Sequence, residues 1–463
     1  MRQGWPLLGN IPQFHFDDPN RFTRECTKKF GGIYTVRMGP TVVVKIVDYE
    51  ILREALVGQA ETFAARPENA MYLQLVGDYG IIQTSGEVWR EQRRLALHQL
   101  RDLGFGKAAM ESRIQRQIHS MIGQMQLDLG ERKEMAVELG PYLEMGAGNV
   151  IADFVFGRCL SAPRMAEWKS ILDHNFRLAV TPGAIVLNGF PMLVKIPLLR
   201  NLAGYNKMEE VNKRLMDFAQ AEVENTKDLM LAASDFPQCI VSGFYEEKQR
   251  REENGSKEKL RDEMLQASIA DLFLAGVETT VTTLLWAFLL LIHYPEEARR
   301  VQEELDHVLG GEEPKLADRA RLPYTSAVIN EIQRRANIIP FNVPHTVVKD
   351  TKLRGYDIPQ GVMVQAEISQ VLSDGKIFPD PLAFKPSRFL NRKVEEMIPF
   401  SMGKRACLGE GLARAELFLF LTSMLQKFHF RAVDEKNLPT LKPIYGLTLT
   451  PQPFRISITK RLS

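Results

Sequence analysis

Cysteine is scarce in this chain, and its spacing excludes the usual cysteine architectures. The 463 residues hold four, Cys26, Cys159, Cys239 and Cys407, far apart and without a CxxC pair. That argues against a disulfide framework or a zinc ribbon and fits a reducing compartment. Excess charge of one sign is also missing: 59 Lys and Arg against 57 Asp and Glu leave a formal net charge of +2. This excludes bulk nucleic-acid binding, so any basic surface must be local. The opening MRQGWPLLGNIPQF has no apolar run near the roughly 20 residues of a membrane span and no signal-peptide pattern. We expect no anchor in it, only a lead-in punctuated by Pro6, Gly9 and Pro12. Repeats and low-complexity tracts are absent, which excludes a solenoid.

What is present reads as an ordinary globular protein, 45% hydrophobic and 25% charged. The length prior is roughly three domains, but it is soft, and one large domain over 1–463 is expected. Helical patterns dominate, with two strand-like islands. Ile33 to Val47 places two β-branched runs around Gly39-Pro40 and predicts a hairpin; Leu353 to Ile368 turns at Pro359-Gln360-Gly361. The charged run Tyr245 to Met264 is expected to be a solvated surface linker with helical flanks. After it, Leu265 to Pro295 is apolar nearly all round yet carries Asp271, Glu278 and several threonines, which suits a buried central helix better than a lipid span. Within that helix, AGVETT alone would read as threonines bonding back to carbonyls and Gly276 permitting close packing.

The most informative stretch is PFSMGKRACLGEGLARAELFLF, Pro399 to Phe420. Cys407 follows Gly403, Lys404 and Arg405 and immediately precedes a helix, so cations and a helix N-terminus are expected to lower its thiol pKa. No second cysteine or histidine stands at zinc-ligand spacing, whereas an axial thiolate to haem iron needs only one sulfur. A buried, inert cysteine is the commoner fate of a lone Cys. The neighbouring GEGLAR fails as a dinucleotide turn, because no strand precedes it and Arg414 occupies the third glycine position.

FSMGKRACLG matches, at every specified position, the F-x-x-G-x-R-x-C-x-G signature of cytochrome P-450 haem-thiolate monooxygenases. The chain resembles that family along its whole length, in order through WREQR, AGVETT, EIQR, PSRF and the cysteine loop. RDLGFGK, LPYTSAVINEIQR and VPHTVVKD look most like the animal microsomal second family. The resemblance implies a mainly α fold with a minor β portion, the haem b lying between the central buried helix and the cysteine-ligand loop. It makes Cys407 the iron ligand with Phe400, Gly403 and Gly409 around it, and Trp89, Arg93, His345 and Arg405 the holders of the propionates. It makes Glu331, Arg334 and Arg388 a structural triad, and Thr279 with Glu278 the acid–alcohol pair that relays protons to bound O2.

The same resemblance places Phe273, Ala275, Ile339, Val343 and Leu447 near the substrate, with the loop from Glu68 to Thr84. It implies an apolar substrate: a fatty acid, a steroid or a xenobiotic. Electrons would come from a separate NADPH-dependent flavoprotein reductase, or a cytochrome b-type donor, since the chain has no Rossmann fingerprint. Arg90, Arg94, Lys107, Lys404 and Arg414 are candidates for the docking face. Ala184 to Leu202 resembles a membrane-dipping segment, which implies peripheral contact with the cytosolic face of the endoplasmic reticulum; plain core packing is the other reading. Two alternatives stand beside the monooxygenase: a peroxide isomerase or dehydratase of the same fold, and a non-catalytic haem carrier or sensor.

Overall fold

The computed structural model describes residues 4–15, 18–67, 79–179, 181–256 and 259–461. The expected hairpin forms where β-branched residues flank the turn: β1 (Ile33–Met38) pairs antiparallel with β2 (Thr41–Ile46), Val36 opposite Val43. Gly39, at φ +60°, supplies the left-handed residue of that turn. In the second island, β5 (Thr351–Leu353) and β6 (Tyr356–Ile358) form their own ribbon. β7 (Met363–Ala366) pairs parallel with β2 and antiparallel with β4 (His345–Thr346), which brings His345 beside the first sheet. A third sheet joins β3 (Met135–Val137), β11 (Ile456–Lys460) and β8 (Phe428–Ala432) in the order 3-11-8.

Helices build the rest. The central helix runs Asp262–His293, 32 residues and so about 48 Å long, and it is long and apolar enough to cross a membrane. Its most apolar stretch is mostly buried inside the molecule, as the near-uniform apolar pattern predicts for a core helix. The helix Gly140–Phe156 packs closest to it. A Cβ added to Gly276 would fall 2.6 Å from Ile151 Cδ1, so this glycine sets the approach of the two helices. Glu410–Lys427, the helix after the cysteine loop, is buried almost all round from Ala415 to Gln426.

The charged run after Tyr245 has helical flanks and mostly exposed side chains. Its first nine residues end the helix Ile240–Glu253, and its last three already belong to the central helix. Glu247 pairs with Arg250 and Arg251, Arg251 also reaches Glu91, and Lys248 pairs with Asp262. These i,i+3 and i,i+4 pairs, with anchors on neighbouring helices, let a charged sequence pack as a helix rather than lie loose in solvent.

Candidate functional site

Gly403 shapes the cysteine loop. It has φ +77°, and a Cβ there would meet the Leu56 carbonyl oxygen at 1.9 Å, so only glycine lets the loop close against that backbone. Close approach to protein backbone thus explains this glycine. The Cys407 N–H then donates to Phe400 O at 3.0 Å, closing the loop, and the Phe400 ring lies 4.8 Å beneath the Arg414 guanidinium. Gly409 is the N-cap of the following helix.

Cys407 keeps accessible surface, whereas Cys26 and Cys239 are buried. Its pKa departs from expectation. Burial by the surrounding protein pushes the thiol up, and the Gly409 N–H and Arg93 only partly offset that, with Glu410 adding to the rise. The helix N-terminus and nearby cations are present, but desolvation outweighs them.

Three guanidinium groups converge beside the loop. Arg405 is buried, donates to the carbonyls of Ala64 (2.7 Å), Ile81 (3.3 Å) and Thr84 (2.5 Å), and lies 3.7 Å over the Trp89 ring. Arg93 donates to Ala406 O at 2.8 Å. Arg66, which sequence reasoning missed, is also buried and donates to the carbonyls of Ile82, Val343 and Pro344. None of the three forms an ion pair among the described residues. Burial and mutual repulsion therefore drag Arg405 down to about 8 and Arg66 to about 9. His345 departs from its expected cationic character. Burial, with Arg66 and Arg405 nearby, lowers it to about 3, and Nδ1 bonds Phe63 O at 2.7 Å. With its one N–H spent on Phe63 O, the neutral ring has only an acceptor nitrogen left and brings no charge.

These features test whether the residues suit a haem, and they do. Trp89 Nε1 is buried with no acceptor. Two buried cations and the half-buried Arg93, without a carboxylate among the described residues, match a ligand that brings two carboxylates of its own, because an uncompensated buried charge is strongly unfavourable.

On the central helix, Ala275 is exposed and Leu272, Gly276 and Thr279 are half-buried, although their neighbours are core. That stripe, at helical spacing, is incompletely covered by the described residues. Thr279 Oγ1 donates to Ala275 O at 2.7 Å. Glu278 faces elsewhere: its carboxylate meets Lys169 Nζ at 3.3 Å, Thr282 Oγ1 at 3.1 Å and Thr448 Oγ1 at 3.5 Å. The two side chains expected to act as a pair are therefore not hydrogen-bonded to each other here. Lys169 is held further by Asp173 (2.7 Å) and Glu144 (3.6 Å), and these carboxylates raise its pKa despite burial.

The triad does assemble. Arg334 Nε and Nη2 donate to the two oxygens of Glu331 at 2.7 and 2.8 Å, and Arg388 Nε reaches Glu331 at 3.4 Å. Of the pocket candidates, Ile339 and Val343 are half-buried and Leu447 is exposed. Phe273 departs from its expected place: it is fully buried between Phe156 (5.3 Å) and Trp168 (5.1 Å), an aromatic core contact that offers no free surface. The loop expected from Glu68 to Thr84 lies outside the described residues as far as position 78. Among the docking candidates, Arg90 pairs with Glu87 and Glu61, Lys404 with Glu61, and Arg414 with Glu410. Arg94 and Lys107 carry no ion pair among the described residues.

Comparison with known proteins agrees with this architecture. The family model for cytochrome P450 matches residues 1–458. Cytochrome P450 2H1 of Gallus gallus is 36% identical over 465 residues, covering 98% of this chain and 92% of that protein. Cytochrome P450 2C8 of Homo sapiens is 36% identical over 471 residues, covering 97% and 92%, and cytochrome P450 2K6 of Danio rerio 36% over 468 residues, covering 98% and 90%. With the fold, the cysteine loop and the arginine cluster in place, the chain belongs to the cytochrome P450 family of haem-thiolate monooxygenases.

Proposed function

We propose that this protein acts as one domain that inserts one oxygen atom of O2 into an apolar organic substrate, a fatty acid, steroid or xenobiotic, with electrons from a separate NADPH-dependent flavoprotein reductase or a cytochrome b-type donor. The observation that carries the reading is the accessible Cys407 thiol at the start of a buried helix, beside three arginines and an indole N–H that have no carboxylate partner.

In this reading Cys407 would hold the haem iron through its sulfur, positioned by the loop that Phe400 and Gly403 close. Arg66, Arg93, Arg405 and Trp89 Nε1 would hold the propionates, whereas His345, neutral and with its one N–H on Phe63 O, has no donor left for them. The haem supplies O2 activation and oxygen transfer to a C–H bond. Thr279 holds a proton at Oγ1 on that incompletely covered stripe, beside the exposed Ala275. Glu278 is the proton source behind it and has to leave Lys169 to serve it. Ile339, Val343 and Ala275 border the substrate, with Leu447 at its edge. Glu331, Arg334 and Arg388 fix the backbone leading to the cysteine loop.

The unpaired Arg94 and Lys107 are the groups freest to meet an acidic electron donor. Contact with the cytosolic face of the endoplasmic reticulum is supported by large apolar side chains turned outward: Leu7, Met192, Leu198 and Leu202 are 87, 70, 71 and 78% exposed. Gly9 bridges Met38, and the Phe190 ring lies against Gly39, so the two segments carrying these residues meet at the β1–β2 turn.

The test is the carbon monoxide spectrum of the dithionite-reduced protein beside Cys407→Ala. A strongly red-shifted Soret band only with Cys407 is expected. A histidine-type band, or no haem, would refute the reading. NADPH-dependent turnover with added reductase then separates a monooxygenase from a carrier.

A further inference from the structure

Glu416 stands six residues into the helix that the Cys407 loop launches, about 9 Å along its axis. It is 1% exposed. One carboxyl oxygen accepts from Thr280 Oγ1 at 3.2 Å, so the side chain joins the cysteine-bearing helix to the central helix one residue beyond Thr279. The other oxygen, Oε1, is buried and has no partner. Four long helices pack on this one, Ala108–Leu129, Asp262–His293, Pro295–Leu309 and Pro323–Ala336, together with the short helix Leu316–Arg321 and the strand Phe428–Ala432. None brings a described basic group into an ion pair with Glu416, and only burial and the Thr280 hydroxyl act on its carboxyl. Glu278, the acid two residues before Thr280 on the central helix, is committed to Lys169, Thr282 and Thr448. A buried carboxylate with no cation and one unmet oxygen is disfavoured against the neutral acid, and burial pushes the Glu416 pKa up to about 8.

We propose that Glu416 is the proton-binding group coupled to reduction of the haem. One electron passes from the reductase, or from dithionite in vitro, to the haem; one proton passes from solvent water to the ionised Glu416 carboxylate; both leave on reoxidation. The coupling is electrostatic. Added negative charge at the cofactor favours the neutral acid through a poorly screened interior, and by reciprocity the ionised acid opposes reduction. The inference rests on the haem reading of Cys407.

The experiment is dye-mediated spectroelectrochemistry of the holoprotein between about pH 6 and 9.5, for wild type and Glu416→Gln, because the amide is uncharged and its oxygen still accepts from Thr280. The two midpoint potentials should agree at low pH. Above pH 8 the wild-type potential should fall below that of the variant; a tenfold rise in proton affinity on reduction corresponds to about 59 mV. Parallel curves would overturn the inference. If the variant holds no haem, proton uptake on reducing wild type decides instead: a maximum near pH 8 supports the coupling, and uptake without one overturns it. Loss of the thiolate-type carbon monoxide band from wild type would sink the haem reading and this inference with it, whereas that band together with parallel curves sinks the inference alone.

Discussion

Replacing Glu331 by glutamine removes one charge and almost no volume, so it isolates what the buried triad contributes. The side chains of Glu331 and Arg334 have 0 and 1% exposure. All five guanidinium N–H groups of Arg334 are used: two on Glu331, and three on the carbonyls of Leu372 (3.0 Å), Pro381 (2.8 Å) and Ala383 (3.1 Å). Glu331 also accepts from the Lys385 N–H at 2.8 Å and from Arg388. Neutralising it leaves a buried guanidinium without its counter-charge, which costs about 3–5 kcal/mol. That is a large share of a typical stability of about 5–15 kcal/mol. Arg334→Met should cost more, since it strands the Glu331 charge and three carbonyls at about 1–3 kcal/mol each. Arg388→Met should cost least, because its contact with Glu331 is long and its Nη2 bonds only Asp380 O. Urea unfolding followed by circular dichroism, with haem content after purification, gives the order. The reasoning is refuted if Glu331→Gln unfolds within about 1 kcal/mol of wild type, or if Arg388→Met proves costlier than Arg334→Met.

Two further outcomes follow from the cluster near Cys407. Trp89→Phe keeps a ring beneath Arg405 but deletes the unpartnered N–H; loss of one hydrogen bond to a charged group, about 1.5–3 kcal/mol, predicts haem binding weakened roughly 10- to 150-fold in transfer to apomyoglobin, and unchanged affinity would contradict the assignment. His345 has a folded pKa of about 3 against 6.5 unfolded. The folded apoprotein thus binds fewer protons than the unfolded chain between those values. Its stabilising contribution is complete above pH 6.5 and is lost as pH falls toward 3, up to about 5 kcal/mol. Apoprotein carrying His345→Gln should lose less stability than wild type over that window, and identical pH profiles would show that His345 titrates normally.

Local signals made part of this legible from the sequence. The cysteine loop is contiguous, so ten residues sufficed. Glu331 and Arg334 share a helix face three residues apart, which fixes their meeting before any tertiary contact forms. The hairpin followed from β-branched runs and one Gly-Pro turn. Arg66 had no such signal: two of its three carbonyl partners are 277 and 278 residues away, and only its place as the lone charge in TFAARP hinted at a buried role. Lys169 was hidden for the same reason, since it meets Glu278 across 109 residues. Phe273 and Ala275 share the central helix, but the neighbouring helices decide which of them faces core and which stays uncovered. At Cys407 the listing of favourable neighbours was sound, while the desolvation that outweighs them depends on how much protein surrounds the sulfur.

The arginine cluster ties the fold to the cofactor energetically. Arg66, Arg93 and Arg405 spend their N–H groups on backbone carbonyls, which satisfies hydrogen bonding but neutralises no charge. Their lowered pKa values express desolvation first, to which repulsion from neighbouring guanidiniums adds at Arg66 and Arg405. The carbonyls come from separate elements: the segment before the Trp89 helix, the chain leading into β4, and the cysteine loop itself. Holding the cations in place therefore requires those elements to converge, and convergence brings like charges together. A ligand with two carboxylates relieves that repulsion only in the folded state, so its binding stabilises the fold by linkage. The same geometry selects against an uncharged flat ligand, which would leave the repulsion intact. In the proposed reading Cys407 would contribute the bond to iron, and the arginines would make the site favour a dianionic macrocycle.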